Sequence, residues 1–135
     1  MTTENITLSN GVTVDIDILR HPGASAIVPL SEKNTVILIR QYRHAVVEET
    51  GFSAREFQKL GEITPVPGYS DERIHIFLAT GLEPAEQNLD MDELLNVHEI
   101  EFDKTIEMIR NGDIQDCKTI SGLYMARDLL KTERL

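Results

Sequence analysis

The sequence predicts an α+β fold, a mixed β-sheet with helices packed on it, and three observations carry that reading. Over residues 6–43, and again from Arg55 to Thr80, apolar and polar residues alternate or form short apolar runs between turn signals, the pattern of strands. Near the C-terminus the apolar spacing changes to that of helices. The length, 135 residues, suits one core and is too short for two ordinary ones, so a single domain over residues 1–135 is expected.

The elements follow in order. Ile6-Thr7-Leu8, then Asn10-Gly11, then Val12, Val14, Ile16 and Ile18 read as an antiparallel β-hairpin over residues 1–20. After His21-Pro22-Gly23, Ala24 to Leu30 forms a strand. Beyond the polar turn Ser31-Glu32-Lys33-Asn34, the run Val36-Ile37-Leu38-Ile39 forms another, buried on both faces. Arg55 to Thr64 and Glu72 to Thr80 alternate as strands. Pro65-Val66-Pro67-Gly68-Tyr69 between them is a loop, because two prolines remove ladder donors. Gly81 to Glu93 reads as an acidic connection, and Leu94 to Phe102 as a strand. Asp103 is the expected cap of a helix carrying Ile106, Met108 and Ile109 and stopped by Asn111-Gly112. A last helix covers about Cys117 to Lys131, with Ile120, Leu123, Tyr124 and either Arg127 or Leu130 facing inward.

Composition bounds the function. With 41% hydrophobic and 27% charged residues and no long apolar stretch, a membrane span is not expected. The start Met1-Thr2-Thr3-Glu4-Asn5 lacks the basic and apolar regions of a secretory signal, so a cytoplasmic location is expected. One cysteine, Cys117, leaves no internal disulfide and no zinc knuckle. A formal charge of −10 repels a phosphate backbone, which points to a free nucleotide rather than a nucleic-acid polymer.

Several segments, taken in order, resemble the ADP-ribose pyrophosphatase branch of the Nudix hydrolase family. They are His21-Pro22-Gly23-Ala24, Val36 to Arg43 ending in Gln41-Tyr42-Arg43, Glu48-Glu49-Thr50-Gly51-Phe52, Pro65 to Glu72, and Ile109 to Ile120. No one of them is specific alone; their order along nearly the whole chain is the signal. The resemblance implies a Nudix-like mixed sheet with an N-terminal antiparallel β segment. It also implies Mg²⁺- or Mn²⁺-dependent splitting of ADP-ribose into AMP and ribose 5-phosphate, in which metal ions generate the nucleophile and neutralise developing charge.

The departure from the family is equally specific. The family box runs G-x5-E-x7-R-E-U-x-E-E-x-G-U, with U apolar, and only its end is present. Aligned back from Gly51, the box arginine falls on His44 and the following glutamate on Ala45, while the upstream glycine and glutamate have no counterpart. Most of the box helix is therefore missing. Glu48 and Glu49 remain, but adjacent residues point about 100° apart around a helix, so both on one ion is hard to arrange. Ala45 has no oxygen to offer, and Mg²⁺ binding is expected to be weak.

The resemblance makes Glu48, Glu49 and Glu93 the catalytic candidates, Glu48 and Glu49 the metal ligands, and Arg43, Pro67, Gly68, Ser70, Asp71 and Glu72 the substrate-binding residues. Each has a plainer reading beside it. Arg43 suits bidentate phosphate recognition or is a solvated strand-end arginine. Glu48 and Glu49 hold metal or form a solvated face before Gly51. Glu93 lies in an acidic loop, and such loops are usually only solvated. Ser70, Asp71 and Glu72 shape the substrate mouth or satisfy the turn's own backbone. His44 lacks an identifiable carboxylate partner, and His21, His75 and His98 show no metal spacing.

Loss of the box helix should uncover apolar sheet surface, which a partner subunit would cover; the expectation is a homodimer formed through the N-terminal hairpin, by strand exchange if the hairpins swap. Three functions remain open. The first is a pseudoenzyme that binds ADP-ribose or a related nucleotide with little or no hydrolysis. The second is an active Mg²⁺-dependent hydrolase with a rebuilt metal site. The third is a non-enzymatic interaction module on the same scaffold.

Overall fold

Two short strands, β1 (Thr2–Thr7) and β2 (Thr13–Ile18), pair antiparallel at the N-terminus of the computed structural model. The structure describes residues 1–41, 52–84 and 95–133, with the backbone alone at positions 40, 41 and 95. One face of this hairpin is a polar ladder, in which Thr3 donates to Asp17 (2.6 Å) and Asn5 to Asp15 (2.8 Å), with the Thr7 and Thr13 hydroxyls 3.2 Å apart. The other face carries Ile6, Val14, Ile16 and Ile18, all half-buried. Val12, expected in the second strand, lies in the turn and is 51% exposed. Asn10 and Gly11 explain the shift: the Asn10 side chain accepts from the Val12 amide at 3.1 Å, and Gly11 sits at φ 83°, which only glycine adopts without strain.

The central sheet has the order β3 (Ala24–Pro29), β6 (Ile74–Pro84), β5 (Phe52–Ile63). β3 runs parallel to β6 and β5 antiparallel to it, so the sheet is mixed, as expected. β6 begins two residues after Glu72 because residues 70–72 are held in the preceding turn. It runs past Thr80 into the expected acidic connection because β5 offers partners as far as Phe52, opposite Pro84. The register shifts between Lys59 and Gly61, a β-bulge placed where the Met125 side chain of the last helix crosses Gly61.

β4 (Thr35–Gln41) pairs antiparallel with β7 (Leu95–Glu101). Val36 and Ile37 point to opposite faces and are both buried, which accounts for their continuous apolar run. Helix α1 (Phe102–Asn111) starts one residue before the expected cap. Its flanking residue is Glu101, which makes no side-chain capping bond, and Asp103 lies inside the first turn. The start is fixed instead by the Phe102 amide, which donates to the Asn34 carbonyl at 3.0 Å, and by burial of Phe102 itself. Gly112, at φ 81°, ends the helix as expected. Helix α2 (Cys117–Thr132) is capped by Asp116, whose side chain accepts from the Thr119 amide.

α2 lies across one face of the central sheet, over Val28, Ile76 and Leu78. Gly122, Leu123 and Ala126 are its buried residues, and Leu123 and Ala126 join Val28, Leu30, Val36, Leu78, Phe102 and Ile106 in the core. Each large apolar side chain buried there contributes about 1.5–3 kcal/mol. Arg127 is not part of it: its guanidinium sits over the Tyr124 ring, 4.6 Å from the centroid. On the opposite sheet face, Ile27 is 52% and Phe57 57% exposed.

Candidate functional site

The loop between β5 and β6 is folded back on itself by the Val66 carbonyl, which accepts from the Tyr69 amide at 3.2 Å and the Ser70 amide at 3.0 Å. Ser70 is buried, and its hydroxyl accepts from the Glu72 amide at 3.2 Å. The chain leaving the hairpin docks on this loop. The Leu19 amide donates to the Tyr69 carbonyl at 2.8 Å, and the Asp71 amide to the Leu19 carbonyl at 3.4 Å.

Asp71 fastens the two segments. Its Oδ2 accepts from Arg20 Nη1 at 2.8 Å and its Oδ1 from the His21 amide at 2.9 Å, while Arg20 Nη2 pairs with Glu4 on β1. The bond from Arg20, and after it the bond from the His21 amide, hold the Asp71 carboxyl below its usual range. The same bonding, from Asp71 first and Glu4 second, raises Arg20.

Between hairpin and loop lies a groove of about 350 Å³. Ile6, Ile16 and Ile18 line it from the hairpin and Pro67, Gly68 and Tyr69 from the loop; Arg20, Ser70, Asp71 and Arg73 also border it. Tyr69 is 59% exposed, an aromatic ring beside an aliphatic wall. Such a groove can hold a flat or sugar ring by apolar contact and an anionic group near a guanidinium.

Of the substrate-binding residues expected from the sequence, the fold brings Pro67, Gly68, Ser70 and Asp71 to this groove; Glu72 faces His21 instead and does not line it. Both oxygens of Asp71 are committed to protein donors. Arg43, Glu48, Glu49 and Glu93, together with His44 and Ala45, lie outside the described residues. Among the described residues, no group of three or more His, Cys, Asp or Glu side chains is placed to hold a metal ion. Sequence reasoning missed Ile6, Ile16, Ile18, Arg20, Thr64, Tyr69 and Arg73 as lining residues. Their only signal was the Arg20-His21 pair closing the hairpin and the aromatic after Pro67-Gly68.

No family model matches the chain. It is similar to the methanol dehydrogenase activator of Bacillus methanolicus, 28% identical over 145 residues, covering 87% of this chain and 78% of the relative. It is similar to the ADP-ribose pyrophosphatase of Bacillus subtilis strain 168, 26% identical over 144 residues, covering 86% and 78%. With the GDP-mannose pyrophosphatase of Salmonella typhimurium strain LT2 it shares 28% identity over 160 residues, covering 87% and 81%. Among solved structures, an ADP compounds hydrolase superposes with a TM-score of 0.82 at 21% identity, covering 97% of this chain and 85% of that one. This likeness establishes the common α+β fold.

Proposed function

We propose that the chain is a Nudix-fold protein of the ADP-ribose-pyrophosphatase-like family that keeps a nucleotide-sugar pocket while its hydrolytic activity is low or absent. The observation that carries this reading is the shortened box. Only Glu48-Glu49-Thr50-Gly51-Phe52 remains of it, and Ala45 stands where the pattern requires a glutamate. The match to the Bacillus methanolicus protein runs over 145 residues yet covers 87% of 135 residues, about 117, so it passes positions that this chain lacks.

In this reading the nucleoside lies in the groove against Ile16, Ile18 and Tyr69, and Arg43 holds a phosphate. Glu48 and Glu49 would hold Mg²⁺ or Mn²⁺, weakly, and the metal when bound would supply an activated water; Glu93 is the further carboxylate candidate. Names of two relatives, ADP-ribose pyrophosphatase and GDP-mannose pyrophosphatase, favour a nucleoside diphosphate sugar as ligand; a partner set without nucleic-acid polymer or membrane is part of the same proposal. Among the described residues no helix is long and apolar enough to cross a membrane. A cytoplasmic setting remains part of the proposal.

Titration with ADP-ribose tests it. Saturable binding is expected, weakened about ten- to a hundredfold by Arg43→Ala, since a charge-assisted hydrogen bond contributes about 1.5–3 kcal/mol. Absence of saturable binding would favour the interaction-module reading.

A further inference from the structure

We propose that Arg73 is the residue by which the groove selects its base, and that the base it selects is guanine. The inference rests on the reading of the groove as a nucleotide-sugar pocket and decides which nucleotide enters it. Two relatives, one named for ADP-ribose and one for GDP-mannose, leave that choice open.

Two guanidiniums border the groove, and they differ in what they can still offer. Arg20 is committed: Nη1 donates to Asp71 at 2.8 Å and Nη2 pairs with Glu4. Arg73 donates from Nη1 to Glu62 at 3.3 Å, a long contact for a charge-assisted bond, and its side chain is 63% exposed. Glu62 gives it only one oxygen, because the other lies 3.0 Å from His75 Nδ1. Among the described residues, Nε and Nη2 of Arg73 meet no acceptor. The backbone beneath this side chain is fixed, since the Arg73 carbonyl accepts from the Ala24 amide at 2.9 Å, one residue before β6 begins.

Acceptors are scarcer. Asp71 is the carboxylate that borders the groove, and both its oxygens already take protein donors. The carbonyls of Val66 and Tyr69 take the Tyr69, Ser70 and Leu19 amides. The Ser70 oxygen accepts from the Glu72 amide, which leaves its own proton to donate. A base seated between Tyr69 and the isoleucine wall therefore presents an edge to donors.

Guanine suits that setting, because its N7 and O6 are adjacent acceptors that match the fork of a guanidinium bidentately. Adenine shows N7 beside an N6 amino group, a donor that would meet another donor and find no uncommitted carboxylate. Guanine's own amino group lies on a different edge and stays in water. Stacking on Tyr69 cannot make the distinction, since every base has a π face. Selection falls to Arg73, four residues further along the same loop.

Titration of the full chain with GDP-mannose and with ADP-mannose, without added divalent metal, compares ligands that differ only in the base. The native chain is expected to bind the guanine nucleotide about tenfold more tightly, within what one bidentate base contact supplies. Arg73→Gln replaces two donors by a donor and an acceptor, the pair that fits N7 and N6 of adenine, so the preference should reverse. Equal binding of the two by the native chain overturns the inference and leaves the nucleotide-sugar pocket standing, whereas no saturable binding of either overturns both. A loss of affinity in Arg73→Gln that is the same for the two ligands would make Arg73 a phosphate or sugar contact and likewise overturn base selection.

Discussion

Asp71 shows how much one carboxylate can organise when its two oxygens face different segments. It receives Arg20 and the His21 amide from the end of the hairpin while its own amide reaches Leu19. Its folded-state titration is depressed, so its contribution is fully present above the unfolded value of about 4 and is lost as pH falls through the lower folded value. Stability near neutrality should therefore be insensitive to this group and should fall only in acid. Asp71→Asn is expected to speed exchange of the Leu19 amide at pH 7 and to flatten the part of the acid-unfolding curve below about pH 4; an unchanged curve would assign the acid sensitivity elsewhere. In the sequence, Asp71 was a candidate for the substrate mouth or the turn's own backbone. That it grips residues about fifty positions away was not legible, because nothing local in Ser70-Asp71-Glu72 encodes which distant donor arrives.

At the scale of elements, alternation and turn chemistry made the strands and both helices readable, and the errors sit where tertiary partners decide. β6 outlasts its expected end because β5 continues to offer partners, and α1 starts at Phe102 because Asn34 takes its amide. The deepest contact of α2 was not legible from apolar spacing, since its key residue has no side chain. A Cβ at Gly122 would lie 2.8 Å from Val28 Cγ2 and 3.4 Å from Ile76 Cγ2, so glycine sets the distance between helix and sheet. Gly122→Ala should cost about 1–3 kcal/mol by overpacking, read as a lower urea midpoint with an unchanged slope. Adding Val28→Ala should recover part of that loss, and strict additivity of the two would place the clash elsewhere.

For the whole molecule, the layout is a packed body and an arm. The body's core lies between α1, α2 and the sheets, while no residue of β1 or β2 falls in the buried class and the arm is tied on through Leu19, Arg20 and His21. Exposed Ile27 and Phe57 on the sheet are the apolar surface that the homodimer expected from the sequence would cover. Light scattering at micromolar concentration should give the dimer mass for the full chain and the monomer mass when residues 1–20 are removed; a monomeric full chain would contradict it. The family resemblance was legible because its segments keep their order. The groove was not, because its walls come from the hairpin and a loop some fifty residues further on, and the reduced box sits among residues whose chemistry only turnover can read. The most direct measurement is therefore AMP release from ADP-ribose with Mg²⁺ or Mn²⁺, run on the native chain and on Glu49→Gln. The account predicts little or no release from either, alongside measurable binding; robust turnover by the native chain that Glu49→Gln abolishes would contradict it and establish a rebuilt metal site.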